Sequence, residues 1–150
     1  MIKKVFLGGT CNGSKWREEI KPLLKIDYYD PVCNGEWTQE AYLREIHERE
    51  TSDFVTYVIT PKMGGVYSIA EVIDDSNKRP EKTLFCVLDE DEGDVFTKAE
   101  IKSLNAVAKM VKNNGGKVYD NLQNMATFLN SFTEASEIEY PESEKEILMP

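Results

Sequence analysis

A chain of 150 residues, 41% hydrophobic and 30% charged, is long enough to bury a core and short enough to form one domain. Its formal net charge of −9 argues against a nucleic-acid polymer or an anionic membrane surface as partner. Nucleosides and small phosphorylated ligands stay open.

The first segment, MIKKVFLGG, is too short and too soon interrupted for a signal peptide, and no apolar run approaches membrane length. Within it KKVFL (3–7) reads as a strand. Trp16, Ile20, Leu23 and Leu24 then mark one helical face, and KIDYY (25–29) a second strand. Leu43 and Ile46 belong to a second helix that precedes the strand DFVTYVI (53–59). Ile69, Val72 and Ile73 define a third helix, starting at about Val66 or Tyr67, before the strand KTLFCVL (82–88). The acidic run DEDEGD (89–94) reads as a solvated loop. A fourth helix carries Ile101, Leu104, Ala108 and Val111, and Thr97 with Glu100 gives it a capping-box start. The strand KVY (117–119) and a helix with Leu122, Met125, Leu129 and Phe132 follow.

This βαβαβαβαβα order predicts a parallel sheet covered on both faces by crossover helices. A flavodoxin-like three-layer α/β/α sandwich with five parallel strands in order 2-1-3-4-5 fits the length, and a Rossmann-like variant would give a similar pattern. Residues 1–133 form the expected domain. The acidic segment 134–150 reads as a flexible tail, or as an arm whose Ile138, Tyr140, Ile147 and Leu148 pack on a neighbouring subunit.

Cys11, Cys33 and Cys86 form no disulfide framework and no structural zinc pattern, which fits a reducing, cytoplasmic compartment. With His47 the only histidine, a His-based triad or a zinc site would need unusual ligands, so no metal and no cofactor is expected.

In such a sheet, ligands bind beyond the carboxyl ends of the strands. Four segments converge there: GGTCNGS (8–14), DPVCNGEW (30–37), TPKMGGVYS (60–68) and DEDEG (89–93). Gly8 and Gly9 permit close approach of a ligand to the backbone, or simply a tight turn; they match neither GxGxxG nor a P-loop. Asp30 can accept ligand hydroxyls or open an Asp-Pro turn. Trp37 can cover a base or cap the core. Glu71 falls in the first two turns of the third helix, where the helix field favours an ionised carboxylate that is either a nucleophile or an ordinary surface residue. Glu45, on the second helix, is the candidate second carboxylate. One glutamate attacking an anomeric carbon while another manages the leaving group is a workable reaction.

The stretches VFLGGTCNGSKWREEI, DYYDP, REIHERETSDFVTYVITP and SIAEV, spanning roughly residues 3–88, resemble the nucleoside 2-deoxyribosyltransferase-like proteins. The resemblance implies the flavodoxin-like fold and cleavage of the N-glycosidic bond of 2′-deoxynucleosides through a covalent deoxyribosyl-glutamate. It places the nucleophile at Glu71 and the acid that contacts the departing base near Glu45. It places the nucleoside-holding loop at Gly8, Gly9 and Thr10, and a pocket-forming segment at Asp30. An aspartate that binds the sugar in well-studied members falls at Gly65, where Ser68 offers a nearby hydroxyl; an aromatic that supports the nucleophile falls at Phe6, which has no hydroxyl. The resemblance also implies a nucleoside or nucleotide as small-molecule partner and a homo-oligomer, such as a dimer. Two further readings stand beside it: a non-catalytic nucleotide-binding or protein-interaction module on the same scaffold, and a glycohydrolase acting on NAD-like ligands.

Overall fold

The β-branched and aromatic runs form strands because their alternate residues bury on both faces of a sheet. The computed structural model describes residues 2–31 and 38–137, so the expectation for Trp37 and that for the segment beyond residue 137 lie outside the described residues. In chain order the elements are β1 (Lys4–Gly9), α1 (Trp16–Ile20), β2 (Asp27–Tyr29), α2 (Gln39–Thr51), β3 (Phe54–Ile59), α3 (Tyr67–Lys78) and β4 (Thr83–Val87). They continue with β5 (Glu90–Asp91), β6 (Asp94–Val95), α4 (Lys98–Asn114), β7 (Lys117–Tyr119) and α5 (Leu122–Glu137). Five parallel strands run in order β2-β1-β3-β4-β7, the expected 2-1-3-4-5 arrangement, between two helical layers.

The central strand β3 is buried throughout and divides the core. Phe54 and Val58 pack with Val5, Leu7, Trp16, Ile20, Met125 and Leu129 on the α1/α5 side. Val55, Tyr57 and Ile59 pack with Phe6, Phe85, Val72, Leu104 and Val111 on the α3/α4 side. Each such side chain, fully withdrawn from water, contributes about 1.5–3 kcal/mol. Helix α4 starts on the predicted capping box, with Thr97 and Glu100 each accepting the other's backbone N–H. Helix α5 runs through Glu137 and so crosses the expected domain boundary at 134.

Three expectations need correction. The acidic run 89–94 is not a plain loop: β5 and β6 form an antiparallel ribbon, and Asp91 accepts hydrogen bonds of 2.6 Å from both Ser14 and Thr60. One carboxylate thereby ties the loops after β1 and β3 to the segment after β4. Strand β1 extends two residues further than its apolar run, so Gly8 and Gly9 end the strand rather than form a loop. Cys11 is disulfide-bonded, while Cys86 is free and buried; the spacing of the cysteines therefore no longer argues for a reducing compartment. Among the described residues, no helix is long and apolar enough to cross a membrane.

Candidate active site

The carboxyl end of β1 is held by α1. Strand β2 pairs only as far as Phe6, which leaves the later β1 carbonyls without a strand on that side. Arg17, 7% exposed, takes the place of that strand. It donates to the Leu7, Thr10 and Gly9 carbonyls at 3.0, 2.8 and 3.3 Å. Burial lowers its pKa to about 10 against the pull of Asp30 and Glu45, so it stays charged at neutral pH. Trp16 adds a hydrogen bond of 2.8 Å to the Thr10 carbonyl.

This frame decides what the loop residues do. Gly8 faces the ring of Tyr57; a Cβ there would stand 2.8 Å from it. Its lack of a side chain makes room for the Tyr57 ring. Gly9 has φ +129°, and a Cβ would meet the Val58 carbonyl oxygen at 2.1 Å, so only glycine permits this approach of β1 to β3. Thr10 is buried and its hydroxyl accepts the Thr60 N–H at 3.0 Å. Asp30 is engaged by Lys21 and, at 3.4 Å, by Arg17.

Two adjoining clefts open at the start of α3. One, of about 180 Å³, is lined by Gly9, Thr10, Asn12, Gly65, Tyr67 and Ser68 among others. The second, of about 190 Å³, lies between α2 and α3 and is lined by Tyr42, Glu45, Ile46, Arg49, Tyr67 and Glu71. Tyr67 is the wall common to both, 63% exposed and hydrogen-bonded to Tyr42. The predicted pair Glu45 and Glu71 thus meets in one cleft, and Gly9, Thr10, Gly65 and Ser68 meet in its neighbour. Gly8 and Asp30 line neither.

Glu71 is 9% exposed. Burial raises its pKa to about 7, opposed by Arg49 and assisted by Glu45 and Asp75. This corrects the expectation that the helix field keeps it firmly ionised: Glu71 is the fifth residue of α3, past the first turn where that field acts, and desolvation wins. Glu45 is also raised by burial, with Arg17 and Arg49 opposing.

Arg49 is not among the residues that the sequence singles out, yet it organises the α2/α3 seam. It reaches Glu71 at 3.3 Å, Asp74 at 2.7 Å and Asp75 at 3.1 Å. Asp75, with no exposed surface, also accepts the Tyr57 hydroxyl at 2.5 Å and pairs with Arg79 at 2.8 Å. Burial, then the neighbouring Asp75 and Glu71, raise the Tyr57 pKa and keep its hydroxyl a donor. Spacing held the available signal: Glu45–Arg49 and Glu71–Asp75 are both i,i+4 pairs, each presenting one face of its helix. A scan against protein-family models finds no match to this chain, and a search of curated protein sequences finds no significant match either.

Proposed function

We propose that the chain cleaves the N-glycosidic bond of nucleosides or nucleotides through Glu71 as nucleophile, passing a 2-deoxyribosyl group to water or to a second base. The observation that carries this reading is the meeting of buried Glu71 with Glu45 in one cleft. A carboxyl group with a pKa of about 7 is ionised often enough to attack at neutral pH. The uncharged cleft across Tyr67 offers Ser68 and backbone groups suited to sugar hydroxyls.

In the first step a Glu71 carboxylate oxygen attacks C1′ and the C1′–N bond breaks. Its electron pair leaves on the base, which takes a proton from the Glu45 carboxyl facing the same cleft. In the second step water or an acceptor base attacks C1′ and gives its proton to Glu45. The C1′–O bond breaks, and its electrons return to Glu71. The overall result is retention at C1′.

The alternative is a nucleotide-binding or protein-interaction module without turnover. Gly65 favours it, because this wall then lacks a carboxylate directed at the sugar. The test is incubation with deoxynucleosides, ribonucleosides, their monophosphates and NAD, with and without acceptor base, and chromatography of the free base. Release from at least one deoxynucleoside or deoxynucleotide is expected. Release without acceptor marks hydrolysis, base exchange marks transfer, and no release from any compound refutes the catalytic reading.

A further inference from the structure

Arg49 touches three carboxylates, and they do not depend on it equally. Asp74 keeps Lys78 at 3.1 Å. Asp75 keeps Arg79 and the Tyr57 hydroxyl. Glu71, among the described residues, accepts a hydrogen bond from Arg49 alone, at Oε2. Loss of Arg49 would therefore fall chiefly on Glu71. The guanidinium is in turn fixed from the other side by Asp74 and Asp75, so it stays in place whatever the charge on Glu71.

We infer that Arg49 is a positioning residue that serves the second half of the reaction, holding a fixed positive charge against Glu71 so that the glutamate is a good leaving group when its sugar ester is broken. The inference rests on the proposed glycosyl transfer. While the ester exists, Glu71 carries no charge and Arg49 faces a neutral oxygen. As the C1′–O bond breaks, the electron pair goes to the carboxylate, and the guanidinium 3.3 Å from Oε2 stabilises the charge that develops. The other groups facing Glu71 cannot do this. Glu45 on α2 and Asp75 on α3 oppose the charge, and Tyr57 is committed to Asp75. Tyr67 and Tyr42 are bonded to each other.

Arg49→Gln separates this role from a structural one. Without substrate, the carboxyl carbon of Glu71 is followed by NMR as pH is varied. Its midpoint is expected to rise by about one pH unit or more in the variant, the usual effect of removing an adjacent opposite charge. With a deoxynucleoside at pH 8, the variant is expected to release about one equivalent of base per site in a burst, then to turn over roughly tenfold more slowly than the wild type, as the poorer leaving group requires. Arg49→Lys, which keeps a charge, should restore part of both effects and carries the test if the glutamine variant does not fold. An unchanged midpoint, or slowing without a burst while the wild type is active, overturns the role of Arg49. If the wild type releases no base at all, the functional reading itself fails and takes the leaving-group role with it.

Discussion

Glu71→Gln is expected to lower base release by roughly a thousandfold or more, because an amide cannot form the glycosyl ester. The same substitution should make the protein more stable at alkaline pH. Burial raises the Glu71 pKa from 4.5 to about 7, so between those values the folded state holds a proton that the unfolded state has lost. Stability therefore falls as pH rises through that window, and the full cost is present above about pH 7. The difference corresponds to at most about 3 kcal/mol. Denaturant unfolding at pH 8 should find the glutamine variant more stable than the wild type, and at pH 5 the gap should narrow. An equal gap at both values would show that Glu71 does not carry this ionisation cost. In the wild type, activity should rise with pH along a limb centred near 7, as Glu71 becomes ionised.

The largest loss of stability is expected at Asp75. It has no exposed surface and receives Tyr57, Arg49 and Arg79. Asparagine keeps the shape but removes the charge that balances two guanidinium groups. It also turns an NH₂ toward at least one of three donors. Breaking a buried pair in this way costs about 3–5 kcal/mol, or roughly 10 °C of melting temperature in a chain of this size. Asp74→Asn is the control. Asp74 also meets Arg49, but its side chain is 40% exposed, and its loss should cost at most about 1 kcal/mol. Thermal unfolding of both variants checks the contrast; similar losses would mean that burial of Asp75 is not what gives the network its weight.

The two variants lie on one chain of contacts and separate its uses. Asp75 anchors the seam between β3, α2 and α3, whereas Glu71 sits at the cleft end of that seam and weakens the fold when ionised. A buried carboxyl group held at a cost to stability is what a functional site, rather than a core, would retain.

The sheet was legible because each of its strands announces itself locally. FVTYVI carries β-branched and aromatic residues on both faces, and Thr97 with Glu100 states the start of α4 within four residues. The role of Asp91 was not, because its partners Ser14 and Thr60 lie 77 and 31 residues away. Acidic composition alone suggested only solvation. Helix α2 was hard to orient for a different reason. It buries Glu48 rather than an apolar stripe and is tied to β1 by the Lys4–Glu48 pair at 2.5 Å. Without that stripe the sequence could not say which face Glu45 and Arg49 share with α3. Gly8 illustrates a different limit: in sequence it offers either a ligand approach or a tight turn, and only the fold shows that a Cβ there would meet the ring of Tyr57.

The proposed reaction requires a covalent bond between Glu71 and the sugar. Acid quenching during turnover of a deoxynucleoside that the wild type cleaves, followed by proteolysis and mass spectrometry, tests it most directly. A deoxyribosyl ester is expected on the peptide containing Glu71, present in the wild type, enriched in Arg49→Gln and missing from Glu71→Gln. Base release with no adduct in either Glu71-containing protein, or with an adduct on another residue, would contradict it.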